Sequence, residues 1–141
     1  MSIEAIRQSL VAAVEAAKAG FSEYALKIGY DNRDIIDPLK QTNPFLEVEV
    51  QLGSGWQADL SPDPIHRISG LLILTAKVRE GNGTAQINRL LDHFYPKLQR
   101  RRIGLALTEM PSFPKGKSVN GLYAQSVLIP FVADKTYGVQ S

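Results

Sequence analysis

The sequence contains no cysteine, two histidines and one tryptophan among 141 residues. Without cysteine there is no disulfide, no thiolate metal site and no cysteine nucleophile. His66 and His93 are too few for a histidine cluster, and neither has metal ligands at suitable spacing. His93 follows Asp92, but no serine in the chain sits in a nucleophile elbow, so both histidines read as surface residues. Large single-sign charge is also missing. The formal net charge is +2, which demands neither a nucleic-acid nor a membrane partner. The aliphatic run Leu71 to Leu74 is far too short to span a bilayer. The opening MSIEAIRQSL lacks a basic start and a cleavage site, so no signal peptide is expected and the chain reads as soluble and intracellular. Gly53-Ser-Gly55 and Gly81-Asn-Gly83 lack the lysine and spacing of a phosphate loop. Asp31, Asp34 and Asp37 lack the glycine and final glutamate of a calcium loop. No cofactor, metal or catalytic residue is expected.

What is present is pattern. Residues 1–141 read as one α+β domain, with 44% hydrophobic and 21% charged residues. The centre is Ile68 to Leu98. A strand, ISGLLILTAKV, leads through a Gly-Asn-Gly turn to a helix, TAQINRLLDHFYPKL, capped by Thr84. The strand is apolar on both sides: Ile68, Leu72, Leu74, Ala76 and Val78 on one, Leu71 and Ile73 on the other. The second side therefore needs a cover, from a helix or from another subunit. In the helix, Ile87, Leu90, Leu91, Phe94 and Leu98 form an apolar stripe, and Pro96 is expected to end or kink it.

Before this centre, Ser2 caps a helix from Ile3 to about Lys18, stopped by Gly20. A short strand is expected at Ala25 to Tyr30, and an irregular loop from Asp31 to Pro44. Phe45 to Leu52 alternates cleanly, with Leu46, Val48, Val50 and Leu52 opposite Glu47, Glu49 and Gln51, which marks one wet face. Gly53 to Ile65 is a long connection carrying Trp56 and Asp59. After the centre come the basic cluster Lys97, Arg100, Arg101 and Arg102, a strand from Ile103 to Met110, and a second long loop from Met110 to Gly121. That loop carries Phe113, Lys115 and Lys117. The last strand is expected over Leu122 to Ala133, apolar on both sides, with Pro130 marking an edge or a bulge and a frayed tail after Asp134. The architecture expected is an antiparallel or mixed sheet of four to five strands with two helices packed on one face.

This order resembles the tail terminator family of long-tailed phages and prophages, small tail-completion proteins related to the lambda terminator. The likeness rests on Ile6 and Leu10 in the first helix and on Arg67, Gly70 and Leu72 in the long strand. It continues through Gly81, Gly83, Leu90, Leu91 and Phe94 to Val127, Pro130, Phe131 and Asp134. It covers most of the chain and departs from the family pattern at Pro96 and at the triple arginine.

The resemblance implies a structural, non-enzymatic virion protein, in the tail after assembly and in the host cytoplasm before it. Such a protein partners itself in a ring, usually a hexamer. It also partners the tail tube protein and the head–tail connector protein, while DNA only passes through the lumen. Leu71, Ile73, Tyr123 and Ile129 are then expected at buried or intersubunit positions. Arg100, Arg101 and Arg102 are expected at the subunit interface or, with Lys115 and Lys117, facing the lumen. Trp56, Asp59, Phe113, Lys115 and Lys117 are expected on loops that meet tube or connector. Two other readings stand beside it: a different neck or head–tail connector protein, and a small nucleic-acid-binding module using the basic cluster with Tyr123 and Phe131 as stacking aromatics.

Overall fold

The computed structural model describes residues 3–30, 42–57, 65–81 and 84–136. In chain order the elements are α1 (Ile3–Ala19), β1 (Ile28–Tyr30), β2 (Phe45–Gln57), β3 (Ile65–Arg79), α2 (Ala85–Leu98), β4 (Arg102–Ile103), β5 (Ala106–Thr108), β6 (Lys117–Val119) and β7 (Leu122–Thr136). They form one sheet in the order β1-β2-β3-β7-β5-β4, with β6 also paired to β7. Every pairing is antiparallel except β1 with β2. The α+β class with both helices on one face is as the patterning predicts. The sheet has seven strands rather than four to five, and the additional ones are short.

Three of the short strands are set by tight turns. Ile103 to Met110 is not one strand. Gly104 has φ +59, so the chain reverses there and β4 folds back on β5. A methyl group on Gly104 would also meet the Ser9 side chain of α1. The expected loop Met110–Gly121 holds β6, which returns to β7 through Asn120 (φ 53) and Gly121 (φ 81). Two residues with positive φ make the turn type that matches strand twist, and Asn-Gly is its strongest sequence signal. Asn120-Gly121 carries that signal within a segment whose overall composition is that of a loop.

Other boundaries move for equally local reasons. β2 continues past Leu52 to Gln57 by way of a register irregularity between Leu52 and Gly55. Trp56 therefore stands in a strand, opposite Arg67, and not on a loop. β1 is shorter than expected, beginning at Ile28. β7 runs on to Thr136, since Asp134 and its two successors pair with Arg67, His66 and Ile65, so no fraying begins at Asp134. α2 passes through Pro96 to Leu98; with Pro96 third from its end, only one late backbone hydrogen bond is lost. Thr84 precedes α2 but makes no side-chain capping bond. Ser2, Asp59 and the loop residues 31–41 lie outside the described residues.

The core lies between the helices and one face of the sheet. Ile6, Leu10 and Val14 of α1 and Ile87, Leu90 and Phe94 of α2 pack on alternate residues of the long strands. Those residues are Leu46 and Val48 of β2, Leu72 and Leu74 of β3, and Val127, Ile129 and Phe131 of β7. Burying a side chain such as Phe94 contributes roughly 1.5–3 kcal/mol, which sets the direction the helix stripe must face. Gly70 lies on this face beneath the Phe131 ring, where a Cβ would stand 2.5 Å from the ring and 2.4 Å from the Gln51 carbonyl oxygen.

The two helices are joined by His93. Its Nε2 lies 2.7 Å from the Ala17 carbonyl at the end of α1, so that nitrogen carries the proton and donates. Its ring meets Phe21 and Phe94 edge-on. His93 is thus a half-buried bracket, not the surface residue expected from its neighbour Asp92. At the other side of the core, Tyr24 donates to the Pro44 carbonyl at 2.6 Å, and burial pushes its hydroxyl pKa up to about 12. Tyr30 donates to the Glu15 carboxylate, and burial together with that carboxylate raises its pKa well above the ordinary value.

Candidate docking face of the sheet

Strand alternation leaves a second face that neither helix covers. The registers arrange it in cross-strand rows. Gln51 lies beside Leu71 and then Pro130; Glu49 beside Ile73 and then Leu128; Glu47 beside Thr75 and then Ser126. One end of the face continues through Lys77, Ala124 and Lys117. The other end runs through Ser69, Val132, Leu107 and Arg102. The aliphatics of these rows, Leu71, Ile73, Leu122, Leu128 and Val132, are only half-buried.

Two polar contacts fix the middle of the face. Thr75 Oγ1 and Ser126 Oγ are 2.8 Å apart, and Lys77 Nζ lies 2.6 Å from a Glu47 carboxylate oxygen. Among the described residues no cation forms an ion pair with Glu49. A concavity of about 610 Å³ spans this region, floored by Ile73, Ala124 and Leu128 and walled by Glu49 on one side and by Lys115 and Lys117 on the other. Its floor is aliphatic, and its rim carries one acid, Glu49, and three lysines, Lys77, Lys115 and Lys117. Among the described residues no cluster of three potential metal ligands exists, and no helix is long and apolar enough to cross a membrane.

The residues predicted as interface positions divide between the two faces. Leu71 and Ile73 lie on the uncovered face. Ile129 is 0% exposed in the subunit's own core, so it cannot meet a neighbour. Tyr123 lies on the helix face with its ring against the core, its hydroxyl beside Gly116. Phe131 is buried. The two aromatics expected to stack bases are therefore on the wrong side of the sheet. Phe113 is exposed, with an edge-on contact to Tyr95, and Lys115 and Lys117 stand on the β6 side of the concavity.

Arg100, Arg101 and Arg102 are exposed at the sheet edge, far from Lys115 and Lys117, so the basic residues do not form a single patch. The residue that sets their backbone is Thr108, which no sequence signal marked. Its buried hydroxyl donates to the Leu98 carbonyl at 2.6 Å and accepts the Arg101 backbone N–H at 2.8 Å. The Thr108 N–H in turn donates to the Arg101 carbonyl at 2.8 Å. Arg100, at φ 51, makes the sharp turn this requires. Replacing Thr108 by valine keeps the shape and strands two buried polar groups, at about 1–3 kcal/mol. The expected outcome is a melting temperature lower by several degrees, with faster amide exchange at Arg101, while a Thr108→Ser variant melts close to the parent.

No protein-family model matches the chain, and no curated protein does. Among solved structures, a protein that carries no functional name matches it with a TM-score of 0.64 and 16% sequence identity, over 100% of this chain and 99% of that one. A likeness at that identity shows the fold alone.

Proposed function

We propose that this chain is a structural assembly protein of a phage or prophage tail, a terminator that caps the tail tube, stops its growth and presents the surface to which the head joins. The observation that carries the reading is the uncovered sheet face, whose rows of half-buried aliphatics around Ile73 and Leu128 have no helix over them. A subunit in a closed ring must offer one surface to one neighbour and a different surface to the other. A protein with one face sealed by helices and the other left apolar suits that requirement. In this reading the protein is not an enzyme. It assembles as a ring, and the segment bearing Phe113, Lys115 and Lys117, with Trp56 and Asp59, contacts tube protein or head–tail connector. DNA only passes through.

The test is the solution mass by light scattering across concentration and salt. The expected result is a ring of about six subunits, formed either in free solution or on addition of purified tail tubes. A chain that stays monomeric in both conditions sinks the reading. Salt-dependent binding of duplex DNA by such a monomer then favours the nucleic-acid module.

A further inference from the structure

The two sides of the uncovered face differ in character. At the β4–β5 edge, Arg101 and Arg102 are exposed beside Leu105 (39% exposed), Leu107 (42%) and Met110 (60%). Leu107 and Arg102 share the row that continues into Val132, so Leu107 and Val132 form an apolar pair reaching from this edge onto the face. On the β2 side, one strand in from β1, stands Glu49, in line with Ile73. It is an exposed carboxylate that makes no ion pair among the described residues, although Lys77, Lys115 and Lys117 line the same concavity. The two sides are separated by four strand spacings, about 19 Å. That exceeds the roughly 8 Å over which charges interact at physiological salt. Within one subunit the arginines and Glu49 therefore cannot compensate each other.

The composition of the basic edge is that of a protein contact. Arginine and methionine are enriched in buried interfaces, whereas single-strand nucleic-acid surfaces use rings for stacking, and among the described residues β4 and β5 carry no ring. We infer that the β4–β5 edge of one copy of this chain docks on the β2 side of the uncovered face of the next copy. Arg101 and Arg102 pair with Glu49, and Leu105 and Leu107 pack beside Ile73. The contact is heterologous, so each copy uses both sides once. The inference rests on the ring reading and specifies the contacts within it.

Charge exchange tests it on the full chain. The double variant R101E/R102E and the single variant E49R alter exposed side chains, and each is expected to melt as the parent does. Each alone weakens self-association by roughly tenfold or more. An equimolar mixture of the two restores the parent mass, because both kinds of junction in an alternating ring are again of opposite charge. So does the triple variant R101E/R102E/E49R. If the parent forms rings and each variant forms them equally well, the inference is overturned while the ring reading stands. If each variant fails but neither the mixture nor the triple variant recovers, the pairing is wrong and the inference is overturned. If R101E/R102E forms normal rings and fails only to join tails, the edge serves another protein and the inference is again overturned. A parent chain that never self-associates, even on tail tubes, removes both.

Discussion

Replacing Gly70 by alanine is expected to lower stability by at least about 3 kcal/mol, the upper part of the overpacking range. That is a large fraction of the 5–15 kcal/mol typical of a domain. The added methyl would meet the Gln51 carbonyl oxygen at 2.4 Å and the Phe131 ring at 2.5 Å. The first obstacle is backbone in the neighbouring strand, and the second is a ring held at 1% exposure. Neither can yield by a rotamer change, so β2 must shift relative to β3 or Phe131 must leave the core. The expected readout is a melting temperature lower by about 10 °C or more, or recovery only in the insoluble fraction. Adding Phe131→Leu to Gly70→Ala should recover part of the loss, since it removes the ring clash and leaves the carbonyl clash. A Gly70→Ala protein that melts with the parent shows that the ring and strand relax far more easily than their burial implies.

A different class of loss is expected from Ile73→Asp. Ile73 is half-buried on the uncovered face between Glu49 and Leu128, so a carboxylate there remains hydrated in the free subunit. Melting should move by only a few degrees. In the proposed ring the same carboxylate would be enclosed against aliphatics beside a second acid, a large penalty for an unpaired charge. Assembly is expected to weaken by roughly 30-fold or more, the scale of losing an interface anchor. Sedimentation mass at fixed concentration and tail joining in an assembly extract both read it. A variant with normal mass and normal tail joining removes this face from the assembly surface. A variant that aggregates instead of dissociating shows that the face is needed for the fold itself, and Ile73→Ser, smaller and uncharged, separates those outcomes.

The long elements were legible because each is fixed by its own periodicity. Leu46, Val48 and Val50 against Glu47 and Glu49 allow one pleat only, and the stripe from Ile87 to Leu98 allows one helix face. The two-sided character of β3 was also legible, and it pointed correctly to Leu71 and Ile73 as residues outside the helix-covered core. For β7 the same reasoning named both sides without saying which one the helices take. Ile129 and Tyr123 therefore stood as interface candidates until the register with Leu72 and Val78 put them on the helix side. Gly104 was harder, because apolar alternation persists straight through the reversal and only the positive φ reveals it. Thr108 and His93 carry no local signal at all. Their importance comes from the carbonyls of Leu98, ten residues before Thr108, and of Ala17, in the other helix from His93, which a reading of adjacent residues does not see.

For the ring proposed above, β7 sets the order of events. It is the last of the described strands to leave the ribosome, yet it lies between β3 and the short strands β5 and β6. A nascent chain ending before Leu122 has β2 and β3 but lacks Ala124, Ser126, Leu128 and Val132, half of the uncovered face. The β4–β5 hairpin then has no strand to lean on, and β6 has no partner. Since domains fold vectorially as synthesis proceeds, the mating surface comes into being only when translation has passed β7. In the proposed terminator role, an unfinished polypeptide would lack this surface, so a truncated product would leave a tail uncapped instead of poisoning its tip.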